Sequence, residues 1–330
     1  MVPRISPLPT ASVPAARQTA AVASLEDAAD DPAIWRNPAD PLASLIVATD
    51  KKAGLNVYGL DGALRSSLPA GRVNNVDLRD GATIAGRPGV LVAASDRNEF
   101  NAGKLALYAL DTASARLTEL ARVPAEVAES YGLCLYRARS GTLHAFVVGK
   151  DGQIRQLAID TSGAQATATI VRRLSLPTQS EGCVADDRTG LLYVGEEGAG
   201  VWRFAAEPDA PTQGTLVAPA DGKQLVVDVE GVAIAAEGAD GGHLLVSSQG
   251  DSAYAVYRLP EVAYVGRFRI VASGAIGGTS ETDGIEVSTA DFGAGLEGGL
   301  FVAQDGDNAP MAQNFKLVPW STIRQALGLP

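Results

Sequence analysis

Histidine, cysteine and methionine each occur only twice in the 330 residues, and that scarcity removes whole classes of chemistry. His144 and His243 are too few and too far apart for a His-Glu-x-x-His zinc site, and neither opens an Arg-His-Gly nucleophile motif. Neither Cys134 nor Cys183 is followed by arginine at the spacing of a thiolate phosphatase loop. The phosphate-cradling Gly-x-x-x-x-Gly-Lys-Ser/Thr motif and a strand-linked Gly-x-Gly-x-x-Gly are also missing. Basic residues are in the minority, 27 Lys and Arg against 38 Asp and Glu, for a net charge of −11. A nucleic-acid partner is therefore not expected. No apolar run approaches the roughly 18 residues that a membrane-spanning helix needs, so no membrane partner is expected either.

Carboxylates and turn residues are what the chain has in abundance. Thirty-six glycines and 18 prolines suit a fold of many short strands rather than a helical bundle. Oxygen ligands without histidine or cysteine favour hard cations such as Ca²⁺. Residues 1–25 are rich in Ala, Pro, Ser and Thr without periodicity and read as a flexible leader. No clean signal peptide is visible there, and an export signal missing from this sequence is expected. Residues 26–330 read as one catalytic domain.

From residue 30 a pattern recurs six times. A segment opens on an acidic or polar residue, often followed by Gly, and runs into apolar residues. The openings are Asp31, Asn75, Tyr131, Glu181, Glu230 and Asp283, spaced 44, 56, 50, 49 and 53 residues apart. Each is followed by an apolar strand ending in a polar turn, such as Leu45–Asp50 or Leu91–Asp96, and then by a third strand. Units of about 50 residues built as strand meanders predict an all-β fold, a six-bladed propeller of mostly four-stranded antiparallel blades around a central channel.

In an antiparallel meander, the start of the first strand and the turn after the second lie at the same end. Asp30, Asp31, Asn75, Asp77, Tyr131, Glu181, Glu230 and Asp283 are thus expected to share one mouth with Lys51, Arg97, Lys150, Asp151, Glu196, Glu197 and Gln249. Crowded carboxylates resist ionisation unless cations relieve them. Isolated Lys and Arg in an acidic ring suit an anionic ligand, with phosphate the natural partner. Each opening taken singly also reads as a mere turn signal; the shared mouth is what favours a site.

Several motifs resemble those of the β-propeller phytases, the alkaline calcium-dependent phytases of bacteria. They include Asp27-Ala-Ala-Asp-Asp-Pro-Ala-Ile-Trp35, Asp50-Lys-Lys-Ala-Gly-Leu55, Asn74-Asn-Val-Asp77, Glu181-Gly-Cys-Val-Ala-Asp-Asp187, Asp228-Val-Glu-Gly231, Ser247-Ser-Gln-Gly250, Thr282-Asp-Gly-Ile285 and Gln313-Asn-Phe-Lys-Leu-Val-Pro-Trp320. The resemblance spans residues 26–325. It implies a secreted or periplasmic, monomeric 3-phytase acting on phytate (myo-inositol hexakisphosphate) or its calcium complex and releasing inorganic phosphate, with several Ca²⁺ ions. Lys51, Arg97, Tyr131, Lys150 and Asp151 would meet the substrate. Asp30, Asp31, Glu181, Glu196, Glu197, Asp228, Glu230, Gln249 and Asp283 would serve the catalytic ions, and Asn75 and Asp77 a structural one. Asp151 stands where the family usually has Glu, and Gly198 where an acid is common. The alternatives are a calcium-dependent lactonase or arylesterase, and a non-catalytic binding propeller. Cys134 and Cys183 lie three and two residues past their openings, a phase difference that predicts free thiols, with a disulfide as the alternative in an exported protein.

Overall fold

The computed structural model describes residues 5–329. Six antiparallel sheets follow one another along the chain. Blade 1 opens with Ala29–Trp35, blade 2 with Val73–Ile84 and blade 3 with Ser130–Arg137. Blade 4 opens with Ser180–Asp186, blade 5 with Val229–Glu237 and blade 6 with Ile285–Ser288. These opening strands pack against one another in sequence, and that of blade 6 returns to that of blade 1, closing the ring. The expected six-bladed propeller is thus the observed fold.

Strand alternation explains the packing. Side chains leave a strand on both faces, and each sheet has a neighbour on both sides. The apolar residues accordingly sort into six clusters, one per blade interface. Trp35, Val47 and Val57 of blade 1 meet Val76, Val92 and Tyr108 of blade 2. Tyr136, Phe146 and Val148 of blade 3 meet Leu192, Val194 and Phe204 of blade 4. The last blade joins the helix Trp320–Leu327, whose Trp320 and Ile323 are buried against Phe268 and Phe301.

Two sequence expectations need correction. The segment 1–25 is not a leader without structure: beyond residues 1–4, which lie outside the described residues, it contributes two strands. Arg17–Gln18 pairs with Asn314–Pro319 as the outer strand of blade 6, and Ala11–Pro14 adds a fifth, parallel strand to blade 5. The backbone donors and acceptors of two blade edges outweigh the segment's weak local propensity.

The cysteines are joined: Cys134 and Cys183 form a disulfide with Cα atoms 5.6 Å apart. Counting from the openings misleads because the two strands are not packed opening to opening. Gly132 lies directly against the Glu181 carbonyl, so moving two residues along each strand brings Cys134 to Cys183. The bridge ties blades 3 and 4 beside the channel and closes a loop of 49 residues. Replacing both cysteines by serine is expected to lower stability by about 2–4 kcal/mol. Thermal melts of the double variant check this, and alkylation of the denatured, unreduced protein should find no free thiol.

Candidate active site

A repeated backbone device aims the opening residues at the mouth. The pairing of the first and second strands slips by an extra residue at the same place in five blades: Ala29/Pro32, Val73/Val76, Ser130/Gly132, Ser180/Cys183 and Val229/Val232. Bulges of this kind re-aim side chains. Here they release Asp30 and Asp31, Asn74 and Asn75, Tyr131, Glu181 and Glu230 from the alternation that would bury them between blades. The glycine after each acid has a packing reason rather than a turn reason. A Cβ on Gly182 would lie 2.3 Å from the Glu230 carbonyl oxygen, and one on Gly231 would lie 2.6 Å from that of Asp283. The opening strands of blades 3–6 each lean on the next at this point.

A second device sets the turn residues. The residue after each second strand donates its backbone N–H to the stretch just before or at the start of the first: Lys51 to Ala28, Arg97 to Arg72, Lys150 to Glu129, Glu197 to Gln179 and Gln249 to Asp228. These six-fold related positions carry three cations in blades 1–3, then a carboxylate and an amide in blades 4 and 5.

The mouth encloses a cavity of roughly 980 Å³ lined by Lys51, Tyr131, Glu197, Asp228, Glu230, Gln249 and Asp283, among others. Lys51 is buried, and its Nζ donates to Asp27 Oδ1 (2.6 Å), Asp283 Oδ2 (3.0 Å) and Asp30 Oδ2 (3.1 Å). Burial pulls its ammonium down, yet these carboxylates outweigh that and hold it well above the ordinary lysine range. Gln249 Nε2 donates to Asp283 Oδ1 at 2.7 Å. Glu181, Glu197 and Glu230 come together with one carboxylate oxygen of each within 4.8 Å of the others. Opposite them stands Tyr131, with Lys150 Nζ 4.6 Å and Arg97 Cζ 5.6 Å from its ring centre. Arg97 also meets Glu129 at 3.1 Å. Asp151 is exposed at the rim, accepting the Gln153 N–H at 3.2 Å.

Four expected ligands, Glu196, Asp77, Asp31 and Asn75, take other places. Both Glu196 oxygens are occupied, accepting from the Thr178 N–H and hydroxyl and from Trp202 Nε1. Glu196 is the last residue of the regular second strand, paired with Gly200, and its side chain turns to Thr178 and Trp202 instead of joining its neighbour Glu197. Asp77 is held by Arg79 at 2.9 Å from both oxygens and accepts the Leu135 N–H. It lies down the channel with Asp31, Glu286 and Asn75, in a separate cavity. Asp31 accepts the Val76 N–H at 3.0 Å. Asn75 donates to Asp30 Oδ1 at 3.0 Å.

Other residues escaped the sequence reading. Asn74 donates to Glu181 Oε1 at 2.5 Å. Gln304, by contrast a turn residue that antiparallel geometry places at the mouth, accepts the Asp283 N–H at 2.9 Å and donates to the Ala29 carbonyl. Glu286 is half-buried, and burial followed by the Asp77 charge pushes it up to about 8, against the pull of Arg79. For Asn74 the adjacent-asparagine motif was a usable signal; for Glu286, on the face opposite the buried Ile285 and Val287, there was none.

Comparison with known proteins decides what this mouth belongs to. The phytase family model matches residues 2–329. A 3-phytase of Bacillus subtilis (strain 168) is 40% identical over 327 residues, covering 96% of this chain and 85% of that protein. The chain belongs to the phytase family. Among solved structures, a glucose dehydrogenase aligns with a TM-score of 0.56 at 13% identity, over 90% of this chain and 98% of that one. A chain of the mitotic checkpoint complex aligns at 0.52 and 13%, over 94% and 96%. These two share the propeller fold alone.

The phytase site is suited to a cation. Glu230 Oε2 and Glu197 Oε1 are buried without any hydrogen-bond partner, as are Asn74 Oδ1 and Asn75 Oδ1. Buried oxygens left unpaired are costly, and a hard cation takes oxygens of this kind. Without one, burial raises the Glu181 and Glu230 carboxyls well above their ordinary range, with neighbouring carboxylates adding to the shift. Asp283 rises from 3.8 to about 7, through burial and Asp30, against the pull of Lys51. A carboxyl raised in the folded state favours folding while protonated and loses that contribution as pH climbs from its unfolded value through the folded one. For Asp283 the window runs from 3.8 to about 7. In metal-depleted protein the melting temperature should therefore be lower at pH 8 than at pH 5, and millimolar divalent cation should remove the decline. A metal-free melting temperature that is flat over this range would contradict the electrostatic account.

Proposed function

We propose that this chain hydrolyses phosphate monoesters of myo-inositol hexakisphosphate, taken as its calcium complex, and releases inorganic phosphate with Ca²⁺ as cofactor. One observation carries the reading: Glu181, Glu197 and Glu230, with oxygens within 4.8 Å of one another, stand at a mouth lined by Lys51 and Tyr131, with Arg97 and Lys150 packed on the Tyr131 ring. Three clustered carboxylates repel a polyanion; three clustered cations would bind one without a metal. Both in one mouth suit a phosphate tied to the protein through cations on one side and directly on the other. Family membership favours this reading over a lactonase or a non-catalytic binding module.

Glu181, Glu197, Glu230 and Asp283 would hold calcium, with Gln249, Asp30 and Asp228 beside them. Once bound, the ions supply charge neutralisation and lower the pKa of nearby water. The residues of the chain do the rest. Lys51, anchored by three carboxylates, stays charged and presents its ammonium where a phosphoryl oxygen gains charge. Arg97 and Lys150 hold further oxygens from the opposite wall. Burial, then Glu181 and Glu230, push the Tyr131 phenol far above its usual range. It therefore remains a hydrogen-bond donor to phosphate rather than a nucleophile. The phosphoryl group passes directly to water: the P–O bond to the inositol breaks, and the inositol oxygen leaves as an alcohol with the proton that water gives up.

All of these residues come from one chain, so a monomer suffices. The Cys134–Cys183 bridge supports an address outside the cytoplasm, where disulfides persist.

Exhaustive chelation should abolish phosphate release from phytate, and added Ca²⁺ should restore it; turnover that survives chelation would defeat the proposal. Glu230→Gln is expected to lower kcat by about 100-fold or more. Lys51→Ala should cut kcat/KM by about 100-fold, measured with calcium present so that the fold is held by its ions.

A further inference from the structure

Blade 5 brings Asp228 and Gln249 to the mouth on two separate loops, and an ion pair buried behind the mouth ties those loops together. Arg267 lies on the fourth strand, Ala263–Val271, and its side chain is fully buried, as is that of Asp251. Its Nη2 donates to both Asp251 oxygens, at 2.6 and 2.7 Å, and its Nη1 donates to the Lys223 carbonyl at 3.0 Å. Asp251 also accepts from the Ser6 N–H at 3.1 Å and from Ser248 Oγ at 2.8 Å. Ser248 Oγ in turn accepts the Val226 N–H at 2.8 Å. The network joins the loop that leads into Asp228 to the turn that carries Gln249. The two segments also meet directly: the Gln249 N–H donates to the Asp228 carbonyl at 3.0 Å, and a Cβ on Gly250 would lie 1.6 Å from the Val227 carbonyl oxygen.

The equivalent position of blade 2 is built alike. Arg122 pairs through Ala106 to Ala94, two residues before Asp96, and Arg267 pairs through Ala255 to Val246, two residues before Ser248. Arg122 holds Asp96 at 2.6 Å and the Ala70 carbonyl at 3.0 Å, so it too joins a turn at the mouth to the loop before an opening strand. Its side chain keeps 24% exposure, whereas that of Arg267 has none. A fully buried ion pair is a weak source of stability, because desolvation offsets the attraction. What this pair does supply is fixed geometry, since the guanidinium fork sets the orientation of each group it touches.

Resting on the phytase reading above, we propose that Arg267 is a positioning residue for divalent-cation binding at the mouth. Through Asp251, Ser248 and the Lys223 carbonyl it holds the backbone of Asp228 and Gln249, so that both are in place before a cation arrives beside Glu230 and Asp283. Without the pair, these loops order only on binding, and the ordering appears as weaker affinity.

Calorimetric titration of metal-depleted protein with Ca²⁺ tests this without recourse to phosphate release. Arg267→Lys keeps the charge but not the fork, and should weaken calcium binding roughly tenfold. Ser248→Ala is a milder change that cuts the link between Asp251 and Val226, and should weaken binding by about threefold. In both variants half-maximal release of phosphate from phytate should need correspondingly more Ca²⁺. Arg172→Lys is the control for general loosening. Arg172 is also buried, but it donates to the Ala205 and Glu207 carbonyls, at the end of blade 4 remote from Glu197. Its replacement should lower the melting temperature and leave calcium affinity unchanged. Wild-type affinity in both Arg267→Lys and Ser248→Ala, or an equal loss in Arg172→Lys, would overturn the positioning role while leaving the phytase reading intact. A wild-type protein that binds Ca²⁺ but releases no phosphate from phytate would overturn the phytase reading alone, and one that binds no Ca²⁺ would overturn both.

Discussion

The opening strands of blades 3–6 each touch the next through a glycine pressed on a backbone carbonyl, and the positions of Glu181, Glu230, Asp283 and Asp30 depend on that contact. Gly182 leans on the carbonyl of Glu230, Gly231 on that of Asp283, and Gly284 on that of Asp30. The carbonyl that is gripped belongs each time to an acid. Its main chain cannot move outward to relieve the repulsion between side chains, because the ring is closed and the neighbouring strand occupies the space. Bulges supply the other half of the constraint, since an unbroken strand would hide these residues between the blades. The fold therefore holds carboxylates at a density that free side chains would not tolerate. The large apolar interfaces between the blades offset the cost.

The same frame separates charge around the rim. The position following the second strand is structurally equivalent in every blade, fixed by one recurring backbone hydrogen bond. Blades 1–3 place Lys51, Arg97 and Lys150 there, whereas blades 4 and 5 place Glu197 and Gln249. The position just before it has a different task throughout: Asp96 is held by Arg122, Glu196 by Thr178 and Trp202, and Asp305 by Lys316. One residue's difference along the chain separates a group offered to a ligand from a group that secures a turn. That step explains why Glu196 and Glu197, identical in kind and adjacent in sequence, have unrelated surroundings.

Period and opening chemistry were legible in the sequence because both are local. Six recurrences of acid, glycine and apolar strand state the blade count, and antiparallel geometry alone brings Lys51, Arg97, Glu181, Glu230 and Asp283 to one end. What could not be read depends on register between segments distant in the chain. The pairing of Arg17–Gln18 with Asn314–Pro319 joins the two ends of the sequence, and nothing in an Ala- and Pro-rich stretch announces it. Cys134 and Cys183 looked out of phase because phase was counted within each blade, while the bond is set by the lean of one blade on the next. The resemblance implied Asp77 as a ligand of a structural ion, but strand alternation past a bulge turns it down the channel to Arg79.

Ring closure and the site have one further connection. In an open stack of sheets, the strand at each end would have one neighbour, and repulsion between Asp30 and Asp283 could spread the ends apart. Here the Gly284 N–H donates to the Asp30 carbonyl at 3.0 Å, and Lys51 bridges the two carboxylates from above. The seam between first and last blades is therefore closed by the same lysine that lines the mouth. The outer strand from residues 17–18 latches that sixth blade from its far edge. A residue whose charge is needed at the rim to hold the ring together is already in place, already desolvated and already oriented when an anion arrives, so little reorganisation remains for binding to drive.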